Sequence, residues 1–218
     1  MSVRTVGELG DRLDEGIGWR RIELQALKSA ISEAERKSSG SPLSRALARS
    51  GVALLYAHWE GYIKDSCTAY VDFIARRRLR CGELNDGLLR TVLESLAKRM
   101  ATGDEEAREF LFDAIRRPDT SRARIPKSSM VETKSNLRFQ VLAEILLKIG
   151  LSSDDFATKD KLIDVTLCDS RNSIAHGRDY FPSPEDFPEL MDEVIGMMEQ
   201  VRDLILSAAR LNAYRRAA

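Results

Sequence analysis

Ten residues in the last quarter of the chain hold the side chains best suited to chemistry: Arg171-Asn172-Ser173-Ile174-Ala175-His176-Gly177-Arg178-Asp179-Tyr180. One of only two histidines in the 218-residue sequence stands here, preceded at helical distances by an arginine and an amide. An imidazole of ordinary pKa, about 6.5, serves as either base or acid near neutral pH. A guanidinium is a permanent cation whose paired N–H groups match a phosphate two bonds at a time. A titratable group beside such a donor is what acid–base chemistry on a phosphoryl centre requires. The same residues also fit a structural role, with His176 at a helix end and bonded to a carbonyl.

Positioning these side chains calls for a helix from Asp160 to His176. On it Asn172 and His176, four apart, share a face, and Arg171 is turned by about 100° from Asn172, with a stem long enough to swing back toward the imidazole. Gly177 reads as the residue just past the helix end, which places His176 in the last turn. The rest of the chain supplies a scaffold of helices. Leu9, Leu13, Ile17, Leu24, Leu27 and Ile31 recur at three- and four-residue steps and predict a helix from Thr5 to about Lys37, weakened in its first half by Gly7, Gly10, Gly16 and Gly18. Ser38 to Ser41 is a small-residue linker. Ser41-Pro42 starts a second, strongly apolar helix running as far as Arg80 and central to the bundle.

After a break at Cys81 to Asn85, helices are expected over Asp86–Ala101, Asp104–Arg116 and Leu137–Ile149, the last capped by Asn136 and ended by Gly150. Residues 117–135 carry Pro118, Pro126, Asp119-Thr120-Ser121 and Ser128-Ser129 and read as a long loop with room for a short strand or turn. A final helix is expected to start at Ser183-Pro184-Glu185 and run through Ile205. The fold class is therefore all-α: a bundle of long antiparallel helices in one domain, residues 1–218, with an N-terminal helix in residues 1–40 and a basic loop insertion at 117–135.

Composition narrows the function. The 34 basic and 34 acidic side chains cancel, so no global field draws the chain to nucleic acid or to a membrane, and a polyanion site must arise by local clustering. Cys67, Cys81 and Cys168 are odd in number and lack metal-ligand spacing, which suits a reduced cytoplasm and argues against a disulfide framework or a zinc site. No signal peptide or membrane span is read. His58 and Trp59 read as packing residues of the long helix, since two histidines without a partner ligand at helical spacing do not make a metal site.

Two basic clusters remain. Arg76, Arg77, Arg78 and Arg80 suit the C-terminus of a helix. Arg116, Arg117, Arg122, Arg124, Lys127, Lys134 and Arg138 face only Asp119 and Glu132 nearby in sequence, giving either a backbone grip for RNA or a mobile, solvated segment. Without aromatic residues between Pro118 and Arg138 such a loop would hold phosphates and not read bases.

The pattern Arg171-Asn172-x-x-x-His176, with Gly177 after it, resembles the Arg-x4-6-His signature of the HEPN superfamily, all-helical proteins that include many metal-independent ribonucleases. Tyr56-Ala57-His58-Trp59-Glu60-Gly61-Tyr62-Ile63-Lys64, and Ser135-Asn136-Leu137 leading into Ile149-Gly150-Leu151, are similar to segments of a bacterial stand-alone branch of it, the MAE type. The resemblance spans roughly Leu54 to Asp179. It implies an endoribonuclease without cofactor or metal, with Arg171, Asn172 and His176 catalytic and with Arg178, Arg122, Arg124 and Lys127 as RNA contacts. It further implies a homodimer in which two motifs face each other across a twofold axis, products with a 2′,3′-cyclic phosphate and a 5′-hydroxyl, and a toxin, stress or anti-phage role with an antitoxin protein as possible partner. A non-catalytic nucleotide- or RNA-binding module, or an adaptor, is the alternative within the same family. One departure stands out: some HEPN toxins carry a modified tyrosine two residues after the histidine, where this chain has Arg178, and its nearest tyrosine is Tyr180.

Overall fold

The computed structural model of the protein describes residues 3–217. Among them the chain forms helices and turns, with two isolated bridges and no strand. Helix α1 (Val6–Lys37) begins where Thr5 and Glu8 cap each other, each side chain accepting from the other's backbone N–H at 3.1 Å. Its stripe of Leu9, Leu13, Ile17, Leu24 and Ile31 is buried. Tertiary burial of that stripe carries the helix through the four glycines that lower its intrinsic propensity.

Helix α2 (Pro42–Ala75) starts at Ser41 and Pro42 as the sequence predicts. It buries Trp59, Tyr62, Ile63, Tyr70 and Phe73 and is the central element. It stops five residues before Arg80. Arg78 takes a left-handed φ of 53°, which an α-helix of L-residues cannot continue through. Helices α3 (Asp86–Ala101) and α4 (Glu105–Arg116) follow as a hairpin, capped by the side chains of Asn85 and Asp104. Both lie where the 3.6-residue periodicity puts them.

The segment at 117–135 is a loop tied to its surroundings, with a bridge and one helical turn of its own. Its first half pairs with the chain after α2: Cys81 N–H donates to Ser121 O at 2.8 Å, and Ala123 N–H to Leu79 O at 2.9 Å. Its second half contains a single helical turn, α5 (Lys127–Met130), anchored by the buried Met130. Its cations find acids on other elements, in Arg117–Asp113, Arg124–Glu106, Lys127–Asp72 and Lys134–Glu144 pairs. The sequence excess of seven positive charges over two negative is largely cancelled in space.

Helix α6 (Phe139–Lys148) begins two residues later than expected. Arg138 occupies the cap position, Asn136 is freed for another task, and Phe139 N–H donates to Asp164 Oδ1 at 2.6 Å. A 3₁₀ turn (Asp154–Lys159) and a π-wound stretch (Leu162–Asp169) lead into α7 (Ser170–Ala175). The last helix, α8 (Phe187–Arg210), starts after the expected Ser183-Pro184-Glu185. There Ser183 Oγ caps only a turn, accepting from Glu185 N–H at 3.3 Å, and Pro188 is the proline of the first helical turn.

Helices α1, α2 and α8 form the heart of the bundle. Their directions follow from cross-contacts. Glu23 meets His58 and Arg20 meets Asp65, so α2 rises as α1 falls and the two are antiparallel. Lys28–Asp192, Arg21–Glu199 and Asp14–Arg202 set α8 antiparallel to α1 as well. Helices α2 and α8 therefore run in the same direction. Around this trio α3 packs on α6, and α7 lies against α2. A contiguous apolar cluster extends from Val3 to Tyr214. No helix among the described residues is long and apolar enough to cross a membrane.

Candidate active site

Helical winding is continuous from Asp154 through Ala175, which includes the Asp160 start expected for the motif helix, but its pitch changes three times. The π-wound turns end at Asp169, and α-winding resumes at Ser170, one residue before the motif. Such turns are rare inside helices and recur at functional sites. The α-turn holds Asn172 over His176, whose backbone N–H donates to Asn172 O at 3.0 Å. The helix then closes with a complete pair of reversed bonds. Gly177 N–H donates to Ile174 O at 3.1 Å, and Arg178 N–H donates to Ser173 O at 2.9 Å. This double bond pattern needs a left-handed residue between, and Gly177, with φ of +66°, supplies it without steric cost. His176 is thus fixed at the last turn, as the sequence predicts.

The His176 side chain is exposed and, among the described residues, makes no hydrogen bond or ion pair. The alternative of a histidine spent on a carbonyl therefore does not describe this fold. Arg171 behaves in the opposite way. One of its terminal nitrogens donates to Ser135 O at 2.6 Å and to Asn136 Oδ1 at 2.9 Å. Its guanidinium carbon lies 4.2 Å from the centroid of the Tyr56 ring, and its buried Nε has no acceptor. The expected swing toward His176 does not occur. Five residues of α-helix separate the two by about 140° around the axis, and Arg171 is drawn to the α2 side.

The socket that receives Arg171 is built from strained and buried parts. Lys134 and Ser135 both take left-handed φ values, 53° and 61°, which turn the Ser135 carbonyl toward the guanidinium. Leu137 N–H donates to Tyr56 Oη at 2.6 Å, locking the ring that carries the cation. Burial pushes the Tyr56 phenol up, against the pull of Leu137 N–H and of Arg171, so it stays protonated. Glu60, one turn farther along α2, acts on it through charge alone. Asn136 also accepts from the Cys168 thiol at 3.4 Å, and Asn172 Nδ2 lies 3.8 Å from the same sulfur. Burial raises the Cys168 pKa, which keeps its proton for that bond. Residues 56, 135–137 and 171–172, far apart in sequence, so meet in one polar cluster beneath the motif.

The turn after the motif is held from α2. Arg49 Nη1 donates to Arg178 O at 3.0 Å and also to Tyr180 O, and Ser170 Oγ donates to Tyr180 Oη at 2.9 Å. Arg178 itself is exposed, with no side-chain partner among the described residues. Sequence reasoning gave no role to Arg49. Its single signal was an arginine on a helix whose partner surface lies 129 residues away.

The remaining basic candidates sit elsewhere. Lys127 binds Asp72 at 2.6 Å, and Asp72 is 16 residues beyond Tyr56, about 24 Å along α2. Arg124 is spent on Glu106 at 3.2 Å and on the face of Phe110, 3.1 Å from its centroid. Arg122 is exposed, and its backbone bridges Arg80. The fold brings none of the three to His176. His58 is buried, edge-on to Trp19, with Nε2 2.9 Å from a Glu23 carboxylate oxygen. No cluster of three or more His, Cys, Asp or Glu residues suited to a metal ion occurs among the described residues.

Comparison with curated proteins and with solved structures gives no match. Among family models, the one described as MAE_28990-like HEPN matches residues 9–214, nearly the whole helical bundle. The chain therefore belongs to the HEPN superfamily, in its MAE_28990-like branch.

Proposed function

We propose that the protein is a metal-independent endoribonuclease working as a homodimer. The observation that carries this reading is His176: an exposed imidazole without a partner among the described residues, held at a tightly closed helix end, in a family rich in ribonucleases. In the proposed reaction one imidazole takes the proton of a ribose 2′-hydroxyl as that oxygen attacks the adjacent phosphorus. The bond from phosphorus to the 5′-oxygen breaks, and a second imidazole in its acid form protonates the leaving oxygen. The products are a 2′,3′-cyclic phosphate and a 5′-hydroxyl, and no cofactor is consumed. General acid or base assistance of this kind is worth about 10² to 10⁴ in rate.

Each chain has one such histidine, so base and acid come from two copies related by a twofold axis, the commonest oligomer symmetry. Arg171, held in its socket through one terminal nitrogen, stabilises charge on the phosphoryl group through the nitrogen that Ser135 and Asn136 leave unused, and Asn172 orients the motif. Arg178 adds a phosphate contact, while Arg122, Arg124 and Lys127, two of them paired with acids, take no part in the cut at His176. The setting is cytoplasmic, and the role is that of a toxin, stress or anti-phage effector restrained by an antitoxin protein.

In excess EDTA the wild type should cut a labelled oligoribonucleotide, His176→Ala should not, and Arg171→Ala should be severely weakened. Cleavage by His176→Ala at the wild-type rate would end this reading. A second reading, an RNA-binding module without turnover, is favoured by one observation: the Arg171 guanidinium is engaged by Ser135, Asn136 and Tyr56. Binding that survives His176→Ala, with no cleavage by the wild type, would select it.

A further inference from the structure

Beside the motif, a groove of about 470 Å³ opens between the first turns of α2 and the chain after α7, lined by Pro42, Arg45, Ala46, Arg49, Ile174 and Phe181. Its wall includes Ile174, two residues before His176, and its rim is Phe181, five residues after it. Phe181 is 53% exposed, so its ring is open to solvent at the groove. Two guanidinium groups stand by its face, Arg49 at 5.0 Å and Arg45 at 5.9 Å from the centroid. Arg49 is tied to the carbonyls of Arg178 and Tyr180 and so fixes the turn that presents the ring. Arg45 is exposed and makes no hydrogen bond or ion pair among the described residues. Glu35, the acid whose charge reaches Arg45, is occupied by Ser39, Ser44 and the Gly40 N–H.

We infer that this groove binds an unpaired nucleotide of single-stranded RNA next to the bond cut at His176, its base stacked on Phe181 and its phosphate on Arg45. An open aromatic face takes any nucleobase, and an adjacent free cation takes the backbone. The combination suits RNA better than an apolar partner helix, because burying Arg45 against apolar side chains would leave its charge uncompensated. It also supplies the aromatic platform that the basic segment at 117–135 lacks. The inference rests on the ribonuclease reading for its substrate, yet it can be tested without turnover.

The probe is a fluorescein-labelled, unstructured oligoribonucleotide, titrated by anisotropy against the full-length His176→Ala protein. Adding Phe181→Ala should weaken binding about 5- to 150-fold, the range of one lost base stack. Phe181→Trp should restore it, and Arg45→Gln should weaken it and flatten its salt dependence. The same sequence as a duplex should bind without sensitivity to residue 181. Unchanged single-strand affinity in Phe181→Ala would overturn the subsite. So would a change of molar mass by light scattering in Phe181→Ala, which would assign the face to a second copy of the chain. If the wild type proves unable to cut RNA but the Phe181 dependence of binding persists, the ribonuclease reading fails and the subsite stands.

Discussion

Arg171 and His176 are neighbours in sequence with opposite fates. Arg171 is seated in a cluster made by Tyr56, Ser135 and Asn136, and His176 is left free at the surface. Their types and spacing were legible from the sequence, and so was the helix end at Gly177. The direction of Arg171 was not, because its acceptors lie 35 and 36 residues away and depend on two left-handed residues that no local pattern announces. Tyr56 is central to that seat. Tyr56→Phe keeps the ring under Arg171 but strands the buried Leu137 N–H, at a cost of about 1 to 3 kcal/mol. Urea unfolding should show a lower midpoint with an unchanged slope, and RNA cleavage should fall with it; an unaltered midpoint would mean that this bond is not formed. His58 gives a second prediction at this scale. Burial holds its imidazole below the usual range, against the pull of Glu23. The unfolded chain therefore binds the proton more tightly, so the stability is fully present above about pH 6.5 and is lost as pH falls through the lower, folded value. The Tm should drop between pH 7.5 and pH 5.5, and His58→Gln should drop less. Equal drops would place the acid sensitivity elsewhere.

Helices α1, α3 and α4 were legible because their apolar period and capping residues act locally. The ends of α2, α6 and α8 were not, since each is set by a distant contact or an unusual backbone angle: Arg78 in the left-handed region, Asp164 at the start of α6, and a Ser183 turn before α8. The ion pairs of the basic segment were not legible for the same reason, since its acids, Asp72, Glu106, Asp113 and Glu144, all lie outside it. Element placement also hangs on one close approach. A Cβ on Gly87 of α3 would lie 2.6 Å from the carbonyl oxygen of Leu147, at the end of α6. Gly87→Ala would gain about 1 kcal/mol of helix propensity, yet it forces two backbones apart and breaks the Thr91–Lys148 bond of 3.0 Å. It should lower the Tm despite the better helix former. A rise in Tm would show that α3 and α6 are free to separate.

At the scale of the whole molecule, a net charge of zero leaves a polyanion site to local groups of exposed cations without an ion pair among the described residues, and some of these lie by the motif. Arg45 and Arg178 are two such residues, and both flank the turn that Arg49 clamps to α2. The packed trio of α1, α2 and α8 is scaffolding for one corner of the surface, where His176 has no partner among the described residues. A second copy that presents the same corner would complete an acid–base pair. Purified, full-length wild type and His176→Ala should be incubated side by side with a labelled oligoribonucleotide in excess EDTA, and the product ends analysed. Cleavage by the wild type alone, leaving a 2′,3′-cyclic phosphate, is the expected result. Equal cleavage by both proteins, or none by a folded and dimeric wild type, would contradict it.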